Sequence, residues 1–168
     1  TMKKYVLFLS LCIAAVPVLA LSKADSIPAH LQNLLLPDFK ILLPDGKTNF
    51  YTDNLSKNKH TIIINFSPEC EHCQIQIEEL IKHIDQFKGT QIVMATSLPF
   101  EKMKQFYDKL QVAKYPNIIM GQDVLFFFSK YYKNHYLPGV AVYNKKRALL
   151  NFYDGGAKTE ELIKLVTE

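Results

Sequence analysis

The stretch HTIIINF, His60 to Phe66, is a continuous β-branched run centred on Ile62-Ile63-Ile64. A strand of that kind needs cover on both sides, so it belongs in a parallel or mixed sheet clad by helices. The residues after it can supply that cover. Apolar side chains at Cys73, Ile77, Leu80, Ile81, Ile84 and Phe87 recur at helical spacing. They predict a helix running to Lys88, with Gly89 just past its end.

The same alternation continues to the C-terminus. QIVMATS (Gln91 to Ser97) predicts a strand, and Ser97 with Pro99 signals a helix whose buried stripe is Met103, Phe106, Tyr107 and Leu110. Asn117 to Met120 predicts a short strand. Asp123 is placed to cap a helix with Val124, Phe127, Phe128 and Tyr131 on one side. The aromatic run Phe126-Phe127-Phe128 with Tyr131-Tyr132 reads as the packing face of that helix rather than as an exposed partner site. GVAVYN and ALLNFYDGG form a hairpin turning at Asn144 to Lys146, and TEELIKLV closes the chain as an amphipathic helix. Upstream, FKILLPDGKTNFY (Phe39 to Tyr51) predicts a hairpin around Pro44-Asp45-Gly46, with Gly46 supplying positive φ. Strands alternating with helices imply a central sheet covered on both faces. A chain of 168 residues, 48% of them hydrophobic, supports one such core.

The N-terminus predicts export. Met2 reads as the initiator, Lys3 and Lys4 as a short positive region, and Tyr5 to Val16 as a nearly uninterrupted apolar run closed by Pro17 and Val18-Leu19-Ala20. That is the layout of a signal peptide over residues 1–20, with Ser22-Lys23-Ala24 as a second candidate cleavage point. The alternative, an uncleaved anchor over residues 5–21, falls short of the roughly 20 apolar residues a spanning helix wants and contains a proline. Residues 21–36 form a loosely packed lead-in, and 37–168 the domain proper. Removing residues 1–20 takes two lysines and no acid, lowering the formal charge of +4 to +2. With no block of five basic residues, nucleic acid is a poor partner. The loss of Cys12 would leave only Cys70 and Cys73, in a compartment where disulfides persist.

These two cysteines sit at the end of the first central strand, where a helix begins, the edge at which open α/β sheets carry their chemistry. Cys70 would meet the unpaired N–H groups and positive dipole end of the helix, which favour a thiolate. Cys73, one turn on, would be sheltered on the buried face. An exposed attacking thiol and a shielded resolving one are what disulfide exchange requires. His72 could donate to the Cys70 sulfur, while Glu69 and Glu71 bring opposing charge. A zinc site would need two further ligands, and the chain has no second CxxC and no HxxxH after this one. A structural staple closing so small a loop would constrain the unfolded chain little.

The segment PDFKILLPDGKTNFYTDNLSKNKHTIIINFSPECEHCQIQIEEL resembles the thioredoxin superfamily, and within it the exported TlpA/ResA-like branch related to the AhpC/TSA proteins. The resemblance spans about residues 37 to 168. It implies a thioredoxin fold, an α/β architecture with a central mixed sheet, helices on both faces and an added N-terminal hairpin. It also implies a thiol–disulfide oxidoreductase serving cell redox homeostasis in the periplasm or cell envelope. Cys70 would attack, Cys73 would resolve, and the two would form a disulfide. The partners would be cysteine-containing proteins and an electron donor or acceptor, with no cofactor or metal. The family's cis-proline falls on Pro138, and the backbone of Leu137 would pair with an extended substrate segment. Two positions depart from the pattern: Ile64 stands where many thioredoxins hold a buried acid, and Glu69 where an aromatic usually precedes the first cysteine.

Three other functions compete. A thiol peroxidase would use Ser67-Pro68-Glu69-Cys70, but the sole arginine, Arg147, lies in the last hairpin. A copper carrier would use Cys70, Cys73 and His135, although such carriers space their cysteines one residue wider. A docking module could keep the cysteines without using them.

Overall fold

The computed structural model describes residues 27–167. The segment expected to be a signal peptide or anchor, Cys12 and the first part of the lead-in lie outside the described residues. Among the described residues seven strands form one sheet: β1 (Lys40–Leu42), β2 (Asn49–Tyr51), β3 (His60–Asn65), β4 (Thr90–Thr96), β5 (Ile118–Gln122), β6 (Gly139–Tyr143) and β7 (Leu149–Asp154). Their spatial order is β2-β1-β5-β4-β3-β6-β7. β3, β4 and β5 run parallel, while β6, β7 and the hairpin β1–β2 join antiparallel, so the sheet is mixed. All six residues of β3 are buried, the apolar Ile62, Ile63 and Ile64 together with the polar His60, Thr61 and Asn65.

The helices among the described residues are α1 (Ala29–Gln32), α2 (Glu71–Lys82), α3 (Phe100–Lys109), α4 (Phe127–Tyr132) and α5 (Thr159–Thr167). Alternation along each strand splits the core. Ile62 and Ile64 of β3 pack with Cys73, Ile77 and Leu80 of α2, Met103 and Phe106 of α3, and Leu162 of α5. Ile63 packs the other way, with Phe128 and Tyr132 of α4 and with Phe39 and Ile41 of the hairpin region. Among the described residues no helix is long and apolar enough to cross a membrane.

The hairpin turns as predicted, with Gly46 at φ +69 and the Asp45 carboxylate accepting the N–H groups of Lys47 and Thr48. Gly121 lets it join the sheet. A Cβ there would stand 2.7 Å from the Leu42 carbonyl and 3.0 Å from the Ile41 side chain, so only glycine admits β1 against β5.

Four expectations need correction. α2 ends at Lys82 rather than Lys88; the chain turns at His83 and tightens into a 3₁₀ turn at Ile84–Phe87. Phe87 is still buried, so a tighter coil satisfies the apolar spacing, and Gly89 has no positive φ. α4 begins four residues after Asp123, which reaches it through its side chain, accepting the Phe128 N–H at 2.9 Å. Phe128 and Tyr132 are core, as expected of a packing face, but Val124 and Phe126 are half exposed because Phe126 takes a left-handed turn at φ +54. The lead-in docks more closely than its mixed sequence predicts. His30 and Leu36 are buried, the Leu36 N–H donates to the Arg147 carbonyl, and the Leu34 carbonyl accepts the Leu149 N–H.

Candidate active site

Cys70 is the N-cap residue of α2, at φ −92 and ψ 117, directly after β3 and the Ser67–Glu69 turn. The turn is fixed by three bonds: Cys70 N–H to the Ser67 carbonyl, Glu69 N–H to Ser67 Oγ, and the Gln74 side-chain amide to the Pro68 carbonyl at 2.7 Å. Cys70 therefore stands where the first-turn N–H groups of α2 lack intrahelical partners, although its side chain makes no capping bond to them. The side chain is half-buried, and its thiol points at the Leu137 carbonyl 3.9 Å away.

Cys73 lies one helical turn on, with 0% of its surface exposed. Burial pushes its thiol up to about 12; the Ser67 N–H, 3.5 Å from the sulfur, opposes this, and the neighbouring Cys70 adds to it. Ile64 sits in the same core cluster as Cys73, and among the described residues the one buried carboxylate is Asp123, which caps α4 through the Phe128 N–H. Both cysteines are free thiols in this structure.

The Leu137–Pro138 peptide, which is cis, faces this pair. Two grooves flank it. One of about 500 Å³ is lined by His72, Ile75, Gln76, Pro138 and Gly156, and the other, about 300 Å³, by Ser67, Leu98, Phe126, His135 and Leu137.

The flanking charges sit differently from their sequence neighbourhood. His72 is exposed and lines the larger groove, and among the described residues it makes no hydrogen bond to Cys70. Glu69 pairs with Lys102 of α3 at 3.1 Å. Glu71 is exposed in the first turn of α2. His135 stands 3.0 Å from the Asp154 carboxylate rather than beside the cysteines. Among the described residues no three His, Cys, Asp or Glu side chains gather as metal ligands. Arg147 lies at the β6–β7 turn, at the end of the sheet opposite Cys70, and donates to the Leu55 carbonyl.

Some residues that build the site carry no signal in the sequence. Asn65 donates to Asn134 across 69 positions of chain, and Gln76 accepts the Ala157 N–H at 2.7 Å. Asp154 holds the loop before Pro138. Each is an ordinary polar residue until the fold brings its partner to it.

The sequence matches no family model and no curated protein. Solved structures do resemble the fold. The pneumococcal exposed lipoprotein thioredoxin of Streptococcus pneumoniae superposes with a TM-score of 0.62 at 15% identity, over 78% of this chain and 98% of that one. A secreted disulfide oxidoreductase of Mycobacterium tuberculosis gives 0.63 at 16% identity, over 77% and 94%. A thiol peroxidase from Chromobacterium violaceum gives 0.64 at 12%, over 79% and 83%. At such identities the likeness carries the architecture alone: this chain has a thioredoxin fold.

Proposed function

We propose that this chain is an exported thiol–disulfide oxidoreductase acting on cysteine-containing protein partners. One observation carries the proposal: the two sulfurs of the CxxC are chemically unequal. Cys70 is partly exposed at a helix start facing the Leu137 carbonyl, and Cys73 is buried one turn on with its proton held tightly.

The Cys70 thiolate attacks a partner disulfide, forming a Cys70–partner bond and releasing one partner thiolate, which takes up a proton. Cys73 then loses its proton and attacks the Cys70 sulfur, releasing the second partner thiol and leaving a Cys70–Cys73 disulfide. Two electrons have passed to the partner, and a thiol donor restores the reduced pair. Run backwards, the same steps oxidise a dithiol. The Leu137 backbone pairs with the partner segment around its cysteine. Export rests on the N-terminal sequence, and residues 5–21 would tether the domain to a membrane if retained.

The test is equilibration of the pair with glutathione buffers, followed by thiol trapping. A potential near about −270 mV marks a reductant supplied with electrons from elsewhere, and one near about −120 mV an oxidant or isomerase. A pair that forms no disulfide in any buffer overturns the proposal. The thiol peroxidase alternative gains nothing from the site, since the one arginine lies at the far end of the sheet.

A further inference from the structure

The loop that carries Leu137 is held by side chains from other elements. Asp154, the last residue of β7, accepts the Tyr136 N–H on Oδ1 at 2.8 Å and the His135 N–H on Oδ2 at 3.1 Å. His135 Nδ1 lies 3.0 Å from the same Oδ2. Asn134 donates to the Tyr136 carbonyl at 2.8 Å and accepts from Asn65 at 3.1 Å. The Gly155 N–H closes on the Pro138 carbonyl at 3.1 Å. Leu137 differs from its neighbours. Among the described residues its N–H has no partner, and its carbonyl meets only the Cys70 thiol.

We infer that Asp154 is a positioning residue for partner docking: by fixing the His135 and Tyr136 amides it leaves the Leu137 N–H and C=O as a one-residue strand edge beside Cys70. The inference rests on the proposed exchange function and adds the group that sets its docking geometry. A carboxylate suits the task because its two oxygens accept two successive backbone N–H groups at once. Burial pushes the Asp154 carboxyl up, but the amides of Tyr136 and His135 and the His135 ring outweigh it and hold it below the usual value. Without the clamp, residues 135–137 must be ordered as the partner arrives, and that ordering entropy comes out of the binding energy. Asp154 bonds to neither sulfur, so its effect falls on docking rather than on the chemistry at Cys70.

The experiment compares exchange with an extended disulfide-bonded peptide and with dithiobisnitrobenzoate, which has no backbone to pair with Leu137. In Asp154→Ala the peptide rate falls about tenfold, mostly through a higher KM, the scale of one charge-assisted hydrogen bond. The ratio of peptide rate to small-disulfide rate falls with it. Asp154→Asn, which keeps one acceptor, lies between, and His135→Ala, which spares both backbone bonds, loses less than Asp154→Ala. An equal loss toward both disulfides, or an unchanged ratio, overturns the role given to Asp154. Should Asp154→Ala fail to fold, the ratio in Asp154→Asn decides in the same way. Wild-type protein that exchanges with neither disulfide overturns the exchange function and this inference together; wild type active on both, with Asp154 variants at an unchanged ratio, overturns only the inference.

Discussion

At Cys73 the deciding quantity is burial. The sulfur is sealed among Ile64, Ile77 and Leu80, so the charged form has no water to solvate it, and the thiol is pushed up to about 12. Capture of a partner by Cys70 removes the part of that rise due to Cys70, and burial remains. Release of the partner is therefore limited by ionisation of Cys73. The expected outcome is that a preformed mixed disulfide on Cys70 resolves faster by about tenfold per pH unit across neutral and mildly alkaline pH. Acid quenching and mass spectrometry of the intermediate measure that rate, and a pH-independent rate contradicts it. The charges around Cys70 can be named from the sequence but not aimed. Glu69 turns to Lys102, a residue 33 positions later on another helix, and nothing local in SPECEHC announces that partner.

At the scale of elements, periodicity is legible in the sequence and handovers are not. The β3 run and the three-four spacing of α2 are local patterns, and both elements stand where those patterns lie. The end of α2 falls short of the predicted one because an apolar residue at Phe87 fits a 3₁₀ turn as well as another turn of α-helix. Asp123 caps as its residue type suggests, but the left-handed Phe126 delays the helix it caps. Gly121 gives no sign at all, since its role depends on β1 crossing to β5. In Gly121→Ala the new methyl meets the Leu42 carbonyl at 2.7 Å, so the hairpin must retreat. Urea denaturation should show a loss of about 1–3 kcal/mol, and amide exchange at Lys40–Leu42 should accelerate. A change within about 0.5 kcal/mol would mean that the hairpin tolerates the methyl group.

Across the whole molecule, the sheet order brings together three segments far apart in the chain: the β3–α2 turn, the loop before β6 and the end of β7. Only the first is marked in the sequence by a chemical motif. Cys73 also ties this arrangement to stability. Its raised pKa means that the folded reduced protein keeps a proton the unfolded chain releases. That contribution is fully present below pH about 9 and is lost as pH rises through about 12. Urea midpoints of the reduced protein should fall over that window relative to those of the oxidised protein, which has no Cys73 thiol to ionise. Parallel midpoints would contradict the burial account of Cys73. The most direct test of unequal roles for the two sulfurs uses one variant of each. Incubated with a disulfide-bonded peptide and analysed by intact mass, Cys73→Ser should accumulate a stable peptide adduct on Cys70, while Cys70→Ser should form none and turn over nothing. Undiminished exchange by Cys70→Ser, or an adduct carried by Cys73, would contradict the account.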